Sequence, residues 1–262
     1  MTKTTIYHIT YYDYDKSVYI QLLSCNFGCL GCVRRKFLWD RHLGDNGRSL
    51  SNVKIRLLEV EKLAEVLKSV DREFGLKRAV LGGGEPTADP SFCNIMKILH
   101  DLGLEVSILT NGYLLDKVLK CIHKEDTLEI SIKSIWPERF AMYTGRKASD
   151  LNRVLNNIEN VFKQGYKVII GTILIPGFND AKDVEEVVRF IATHLNTSTP
   201  LIIDEYIPVS TAPWRRPTYE ELVEAKQRAE KHLMNVIFRS SYTVKLKGKV
   251  YPIFPNKCAR TR

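Results

Sequence analysis

The chain has 262 residues, of which 44% are hydrophobic and 26% charged, enough for one packed core. Its formal net charge of +9 favours acidic partners (nucleic acid, a nucleotide or an acidic electron-carrier protein), although such charge also serves solubility alone. The six cysteines form no disulfide framework, and there is no apolar leader or membrane-length apolar run, so we expect a cytoplasmic protein. Cys93, Cys121 and Cys258 are expected to be small buried residues rather than ligands.

Short apolar runs alternate six times with segments of helical periodicity. The runs are rich in isoleucine, valine and leucine, with little strict alternation, as expected for strands that are covered on both faces. The predicted strands are, in chain order, Ser17–Ser24, Arg78–Gly82, Leu104–Thr110, Thr127–Lys133, Lys167–Ile175 and Leu201–Ile207. The predicted helices are Glu59–Phe74, Ser91–Leu102, Leu114–His123, Leu151–Gln164, Ala181–His194 and Thr218–Leu233.

This alternation predicts parallel strands joined by crossover helices. We expect an α/β fold that is a partial (β/α)6 TIM barrel rather than a doubly wound sheet, because the chemically informative residues fall at or just after strand C-terminal ends. The whole chain is expected to form one domain, with a core over about residues 17–238 and a hairpin-like extension over 239–262. In that extension, Val244, Leu246 and Val250 would share one face of a hairpin over Ser241–Phe254.

A cysteine-rich loop follows the first predicted strand. Cys25, Cys29 and Cys32 lie in the run Cys-Asn-Phe-Gly-Cys-Leu-Gly-Cys, where two glycines allow tight turns around the sulfurs. Three thiolates with this spacing can bind three irons of a four-iron cluster and leave the fourth iron open to a substrate or cofactor. The alternative is tetrahedral zinc with His42 as a fourth ligand, but structural zinc sites usually take two separated ligand pairs, and no second pair follows.

Three further strands bear residues suited to ligand contact. The second strand ends in Gly82-Gly83-Gly84-Glu85, whose successive glycines permit close approach of a ligand, although ordinary turns also use glycine. The tripeptide Thr110-Asn111-Gly112 ends the third strand and is likewise a common turn sequence. In the fourth strand, Glu129, Ser131 and Lys133 alternate onto one face, which we expect to be the barrel interior while the intervening isoleucines pack outward against helices.

The Cys-x3-Cys-x2-Cys spacing and the Gly-Gly-Glu-Pro sequence resemble those of the radical S-adenosylmethionine (SAM) superfamily. The resemblance implies a [4Fe–4S] cluster on Cys25, Cys29 and Cys32, whose fourth iron binds the amino and carboxylate groups of SAM. It also implies that an electron passed through the cluster cleaves SAM to methionine and a 5′-deoxyadenosyl radical. The chain would then be an oxidoreductase-type enzyme whose protein part directs that radical.

The same resemblance implies which residues contact SAM. The implied contacts of the methionine amino group are Gly83, Gly84 and Glu85, and Lys133 is implied for the carboxylate. Ser131 would contact the ribose, and Ile173 and Ile175 would lie beside the adenine. Asn111, at the end of the third strand, is a further implied contact. Gly31 is a departure, because the superfamily usually has an aromatic residue there, near the adenine, so adenine packing must come from elsewhere. Any of Asp204, Glu205 and Tyr206, which end the sixth strand, could contact the substrate.

Within the superfamily, the layout is most similar to that of the glycyl-radical-enzyme activases, typified by the pyruvate formate-lyase activating enzyme. The similar segments are Trp39-Asp40, Tyr143-Thr144-Gly145 and Ile175-Pro176-Gly177-Phe178-Asn179-Asp180. The departures are Tyr14-Asp15-Lys16-Ser17 in place of Gly-Pro-Gly, Leu109 and Ser131 in place of two aspartates, and Gly171 in place of an arginine. Any cation site that those aspartates would build is therefore not expected.

Two basic runs, Arg34-Arg35-Lys36 and Trp214-Arg215-Arg216, complete the candidate features. The first lies beside the cysteine loop, where an acidic electron donor of the flavodoxin or ferredoxin type could dock. Phosphate of an RNA or nucleotide substrate is the alternative ligand, and a solvated loop explains each run equally well.

Three functions stay open at this level. The first is activation of a glycyl radical enzyme, which requires a protein partner and an open barrel mouth. The second is radical modification of RNA or of a small metabolite. The third is a non-enzymatic zinc-binding module, which metal analysis would distinguish from the other two.

Overall fold

The computed structural model describes residues 3–50, 53–243 and 245–255. Within them, one nine-stranded sheet runs through the molecule in the order β8-β7-β6-β5-β4-β3-β2-β1-β9. Its strands are β1 Ile6–Tyr12, β2 Ser17–Leu22, β3 Arg78–Gly83, β4 Glu105–Thr110, β5 Thr127–Ser131, β6 Lys167–Leu174, β7 Leu201–Glu205, β8 Val236–Arg239 and β9 Val250–Phe254. The α-helices are α1 Val60–Phe74, α2 Phe92–Asp101, α3 Leu115–Val118, α4 Pro137–Thr144, α5 Asp150–Lys163, α6 Ala181–His194 and α7 Tyr219–Ala229.

The six predicted strands are β2 to β7, and each pairs in parallel with the next. Strand order follows chain order from β2 to β8 without a reversal. A doubly wound sheet would reverse its order at a switch point, so the partial barrel is the correct alternative. The predicted fold class is confirmed.

The two faces of the parallel strands differ in burial. One face of these strands is fully buried in the main hydrophobic core, beneath the helices. Strands β3 to β7 contribute to it, in this order, Leu81, Ile108, Ile130, Ile170 and Ile203. The intervening side chains line the barrel interior and are mostly half-buried. This difference places polar side chains of the strands in an accessible interior and keeps the apolar ones against helices.

Sequence analysis missed β1, α4 and β8. Strand β1 pairs antiparallel with β2 and is almost entirely buried, although it contains polar side chains. His8 Nδ1 lies 2.8 Å from the Phe254 carbonyl oxygen, and the Thr10 hydroxyl donates to Asp40 at 2.8 Å. These distant partners make burial of polar side chains possible, and local periodicity does not reveal them.

The C-terminal segment differs from the predicted hairpin. Strand β9 pairs antiparallel with β1, and residues 245–249 before it form no strand. Val244 and Cys258 lie outside the described residues, so the shared face proposed for Val244 with its neighbours is not described. The segment thus extends the main sheet by pairing with the free edge of β1.

Cys93 and Cys121 form a disulfide, with their Cα atoms 5.2 Å apart. The interpretation of these two residues as separate buried apolar side chains is therefore wrong. A sequence separation of 28 residues hides the pairing, which arises because α2 packs beside the short 3-10 turn Leu119–Cys121 that follows α3. Among the described residues, no helix is long and apolar enough to cross a membrane.

Candidate functional site

The cysteine loop begins directly after β2, at the C-terminal edge of the parallel strands. Cys25 is exposed, Cys29 and Cys32 are half-buried, and all three are free thiols. Burial raises the pKa of Cys29 to about 11, a rise that the nearby Lys133 ammonium opposes and the other two cysteines reinforce. The effect of Cys25 and Cys32 on the pKa of Cys29 indicates that the three side chains lie near one another.

The loop backbone is held by the end of α4 and by a guanidinium. Gly28 N–H donates to the Thr144 carbonyl at 2.7 Å, and Leu30 N–H donates to the Tyr143 carbonyl at 2.8 Å. Arg35 donates from Nε to the Cys29 carbonyl at 3.2 Å and from Nη2 to the Gly28 carbonyl at 3.4 Å. Loop carbonyls are thereby satisfied, so the cysteine side chains stay available for a ligand.

The Gly-Gly-Glu segment docks directly onto the start of the cysteine loop. Gly84 N–H donates to the Leu22 carbonyl at 2.7 Å, and Glu85 N–H donates to the Ser24 carbonyl at 2.8 Å. A Cβ atom at Gly84 would collide with the Ser24 carbonyl oxygen and lie 2.8 Å from the Leu22 carbonyl oxygen. Glycine at position 84 is therefore a steric requirement for bringing the two motifs together.

The Glu85 carboxylate is buried and accepts four hydrogen bonds. Thr87 donates from its amide at 3.1 Å and its hydroxyl at 2.6 Å, while the Thr110 hydroxyl and the Asn111 amide each donate at 2.6 Å. Burial raises the pKa of Glu85, and these hydrogen bonds oppose the rise. The carboxylate therefore ties the end of β3 to the end of β4.

Asn111 links the end of β4 to the cysteine loop. Its Nδ2 donates to Asn26 Oδ1 at 2.7 Å, and its Oδ1 accepts from the Tyr113 amide at 3.0 Å. The Asn26 Nδ2 is buried without a hydrogen-bond partner among the described residues. This orphaned donor lies within the cysteine loop, where a bound ligand would satisfy it.

Strand β5 presents alternating side chains as its sequence indicates. Glu129, Ser131 and Lys133 are half-buried on the interior face, whereas Ile130 and Ile132 lie in the core. The Lys133 ammonium donates to the Ser131 hydroxyl at 2.7 Å. Because this ammonium also lowers the pKa values of Cys25 and Cys29, it lies toward the cysteine loop.

A second polar group joins Glu129 and Asp204, which sequence analysis names as candidates, to Arg239, which it missed. Arg239 of β8 donates from Nε and Nη2 to Asp204 at 2.8 and 2.9 Å, and from Nη2 to Glu129 at 2.6 Å. The guanidinium thus reaches from β8 to β5, across two intervening strands. Gly171 on β6 lies beside this group, since a Cβ atom there would be 3.9 Å from Glu129 Oε1, an ordinary contact distance. A lone arginine at the end of the apolar run Val236–Phe238 is its only sequence signal.

Aromatic rings cover the C-terminal ends of β6 and β7. The aromatic cluster comprises Tyr143, Phe178, Tyr206 and Trp214, with Ile175 buried among them and Ile173 and Cys29 packed against them. Gly31, where the superfamily usually has an aromatic residue, lies under two of these rings. The strand residues Ile173 and Ile175 that were expected beside adenine are therefore close to the cysteine loop.

The remaining candidate residues mostly have partners within the protein. Arg215 forms a two-point ion pair with Glu221 at 2.6 and 2.8 Å. Arg216 lies 3.4 Å from Glu205, which also accepts from the Ser241 amide at 2.7 Å. The Trp-Arg-Arg run is thus part of the loop structure between β7 and α7.

Arg34 of the first basic run also has partners within the protein. Arg34 donates to the Leu23 carbonyl at 3.0 Å, and its guanidinium lies 5.4 Å from the centre of the Tyr7 ring. His42, the candidate fourth zinc ligand, lies 2.9 Å from Asp40 instead. In the part of the chain that the structure describes, no three His, Cys, Asp or Glu side chains are arranged around a metal position.

The comparisons with known proteins agree with this geometry. The model of the Radical SAM superfamily matches residues 21–191, about two thirds of the chain. A protein of Methanocaldococcus jannaschii with the provisional name glycyl-radical enzyme activating enzyme is 25% identical over 232 residues, covering 87% of this chain and 82% of its own. The GTP 3′,8-cyclase of Nautilia profundicola is 30% identical over 163 residues, or 60% of this chain and 46% of the cyclase.

Solved structures show the same fold. A radical SAM methyltransferase from Sphaerobacter thermophilus superimposes with a TM-score of 0.63 at 16% sequence identity, covering 90% of this chain and 71% of the methyltransferase. The present chain spans most of the length of the activating-enzyme relative but less than half of the cyclase. Enzymes of this superfamily use a [4Fe–4S] cluster and SAM.

Proposed function

Because this chain belongs to the radical SAM superfamily, we propose that Cys25, Cys29 and Cys32 bind a [4Fe–4S] cluster at which SAM is reductively cleaved. When bound, the cluster supplies the electron that converts SAM to methionine and a 5′-deoxyadenosyl radical, which abstracts hydrogen from the substrate. The observation that carries the proposal is the docking of the Gly-Gly-Glu segment on the cysteine loop, which brings thiols and a ligand-binding backbone together. Three free thiols within one loop, with no second pair of ligands after them in the sequence, fit an iron–sulfur cluster better than structural zinc.

The neighbouring residues supply the SAM contacts in this proposal. Backbone groups of Gly83 and Gly84 face the methionine amino group, and the buried Glu85 carboxylate fixes that backbone rather than binding SAM itself. Lys133, whose ammonium acts on two of the thiols, attracts the SAM carboxylate. The other contacts are Asn111 beside the cysteine loop, Ser131 toward the ribose, and Ile175 beside the adenine.

The finer proposal is activation of a glycyl radical enzyme. The relative from Methanocaldococcus jannaschii, which the chain matches over 87% of its own length, supports this choice. The interior face of β5 to β8 is half-exposed in the described residues, as access for a protein segment requires. An acidic electron donor of the flavodoxin or ferredoxin type would use Lys36, the exposed lysine of the first basic run.

Modification of a small metabolite or RNA is the second candidate. Several relatives are GTP 3′,8-cyclases, and their similarity reaches 30 to 31% identity, but the chain spans only about half of their length or less. A nucleotide substrate would need cations free to bind phosphate. Arg215, Arg216 and Arg239 are instead paired with carboxylates, which favours the activating-enzyme proposal.

The test is SAM cleavage by protein that has been reconstituted anaerobically with iron and sulfide. We expect about four irons per chain, and 5′-deoxyadenosine after reduction with dithionite. Cys29→Ala should remove both the brown colour and the product, whereas Cys93→Ala, outside the loop, should keep both. Zinc without iron, or a loaded cluster that yields no 5′-deoxyadenosine, would refute the proposal.

The substrate is tested separately. A glycyl-radical-enzyme loop peptide whose glycine bears deuterium at Cα should transfer deuterium to 5′-deoxyadenosine during turnover. Deuterium transfer from a labelled nucleotide, with none from the peptide, would favour the second candidate instead.

A further inference from the structure

The disulfide of Cys93 with Cys121 joins two elements of unequal stability. Cys93 lies in the first turn of α2, a helix of 10 residues of which four are buried in the main core. Cys121 ends the 3-10 turn Leu119–Cys121, which directly follows the four-residue helix α3. Helical pieces this short are not stable by themselves in water. The covalent bond therefore holds a weak element against a firmly packed helix.

The weak element is part of residues 114–123, which we call the clamped segment. All of these residues lie in the described part of the chain, and two of their side chains, Leu115 and Ile122, are buried. Asp116 adds a partly exposed ion pair with Arg153 at 2.9 Å. Anchors of this kind leave only a small free energy of local opening once the covalent bond is broken.

A small dithiol can reach the disulfide, because both cysteines are half-buried rather than enclosed in the core. One thiolate of the dithiol attacks a sulfur of the disulfide, forms a mixed disulfide and releases the first protein thiolate. The second thiolate of the dithiol then attacks the mixed disulfide and releases the second protein thiolate. The protein gains two electrons and two protons, and the dithiol becomes a cyclic disulfide.

The chain that leads into the clamped segment contacts the cysteine loop. Asn111 Nδ2 donates to Asn26 Oδ1 at 2.7 Å, and the Tyr113 amide donates to Asn111 Oδ1 at 3.0 Å. The Tyr113 ring also lies edge-on to the Phe27 ring, with 5.9 Å between their centres. Asn26 and Phe27 both lie between the first two cysteines of the loop. A displacement of the clamped segment therefore reaches the cysteine loop through Asn111 and Tyr113.

The other partner of the disulfide is fixed to the same loop by a different route. Asp89, just before α2, accepts hydrogen bonds from the Thr5 amide and hydroxyl, each at 2.6 Å. The Thr5 hydroxyl also lies 3.0 Å from the hydroxyl of Ser24, one residue before Cys25. Cys93 is thus held in a framework that includes the start of the cysteine loop. The intact disulfide ties the clamped segment to this framework, and a reduced pair of thiols does not.

We propose that Cys93 and Cys121 are a site of thiol–disulfide exchange, at which reduction by a dithiol loosens the clamped segment and weakens the binding of SAM. Loosening of the clamped segment is a property of the fold alone, whereas its effect on SAM rests on the proposed function. A donor that reduces a low-potential iron–sulfur cluster is also able to reduce most protein disulfides. The state of this disulfide therefore follows the same supply of electrons that the proposed reaction needs.

The first test is hydrogen–deuterium exchange of protein without a cluster, before and after reduction with dithiothreitol. After reduction, amides of the clamped segment should exchange roughly tenfold or more faster relative to those of α5, because local opening then precedes global unfolding. Cys93→Ala combined with Cys121→Ala should show this difference with and without dithiothreitol. Unchanged exchange in the clamped segment, or equal acceleration in α5, would overturn the inference.

The second test measures SAM binding by calorimetry to cluster-loaded protein whose disulfide is intact or reduced. Reduction should weaken binding about 3- to 10-fold, and reoxidation with oxidised glutathione should restore it. The variant without both cysteines should bind SAM as the reduced protein does. Its affinity should not respond to dithiothreitol, which excludes an action of the reagent on the cluster. Equal SAM affinity in the two redox states would contradict the proposed control of SAM binding.

The third test asks whether Tyr113 transmits the effect. Tyr113→Ala loses the contact with Phe27, so reduction of this variant should change SAM affinity by less than about twofold. The control is Tyr166→Phe, which removes a hydroxyl 3.5 Å from the Leu119 carbonyl of the clamped segment and should keep the full redox effect. A full redox effect in Tyr113→Ala would refute the route through this ring.

Failure of this inference is distinct from failure of the proposed function. A protein that assembles no iron–sulfur cluster would refute the proposed function and leave the exchange result standing. A protein that binds SAM with an affinity independent of the disulfide would refute this inference alone.

Discussion

The two halves of the barrel mouth are built differently. At the ends of β2 to β4, backbone amides, Glu85 and Asn111 join three loops through short hydrogen bonds. At the ends of β5 to β8, side chains from distant strands meet through rings and ion pairs, as in the group of Glu129, Asp204 and Arg239. We call these the cofactor half and the substrate half. The first is held together mainly by its backbone, and the second by contacts between side chains that are distant in the sequence.

The largest expected effect is that of Gly84→Ala in the cofactor half. The added methyl group meets backbone carbonyl oxygens of Leu22 and Ser24, which have no flexible side chain to move aside. We expect destabilisation by about 3 kcal/mol or more and loss of cluster assembly. Thermal unfolding and iron content measure these two effects.

The control for that substitution is Gly103→Ala. Gly103 has a positive φ of 68°, unlike Gly84, but no atom lies within 4 Å of its Cβ position. It should lose only about 1 kcal/mol and retain the cluster. If the two substitutions lower stability and iron content equally, the collision of Gly84→Ala with the cysteine-loop backbone is not the cause of either loss.

Arg239→Met probes the substrate half. The substitution leaves the half-buried carboxylates of Glu129 and Asp204 without their cation. We expect the free energy of unfolding to fall by about 1–3 kcal/mol. The fall is moderate because the Arg239 side chain is 39% exposed to solvent. Affinity for SAM should stay within about twofold, because the group lies outside the cofactor half. Arg239→Lys keeps the charge without the planar fork and should be intermediate in stability. A loss of SAM binding as large as that of Gly84→Ala would contradict the division into halves.

The sequence alone predicts where the residues of the cofactor half lie, but it does not predict the contacts of the substrate half. Each motif of the cofactor half lies within eight residues and directly follows a strand, so local spacing predicts both the loop and its place at the strand ends. Arg239 acquires its role only when β8 is placed three strands from Glu129. Similarly, the disulfide of Cys93 with Cys121 depends on how α2 packs against a short turn. The predicted ends of β2 to β7 lie within two residues of the observed ones, because each strand is a distinct apolar run between polar segments.

Reduction of the disulfide tests how far the rigidity of the cofactor half depends on covalent linkage. Loop-closure entropy for a separation of 28 residues predicts a loss of about 3–4 kcal/mol in the free energy of unfolding for Cys93→Ala combined with Cys121→Ala. Chemical denaturation with and without dithiothreitol measures it. If reductant lowers the stability of the double variant as much as that of the unaltered protein, the loss has another origin.

The smallest expected effect concerns the contact between the two halves. Thr211→Val removes the hydrogen bond to the Leu30 carbonyl and should cost about 0.5–1 kcal/mol. The control is Thr193→Val, whose hydroxyl donates to the Arg189 carbonyl on the exposed face of α6. Only Thr211→Val should also weaken SAM binding, by about two- to threefold, because it removes a hydrogen bond that holds the cysteine loop at Leu30. Equal changes in SAM affinity would remove Thr211 from the link between the halves.

The most direct test of the account is electron–nuclear double resonance on the reduced cluster with SAM labelled with ¹⁵N and ¹⁷O in its methionine part. The account predicts hyperfine coupling of both labels to the cluster in the unaltered protein, the same coupling in Arg239→Met, and none in Gly84→Ala. Absence of coupling in the unaltered protein with a fully loaded cluster would contradict the assignment of the loops after β2 and β3 as the SAM site.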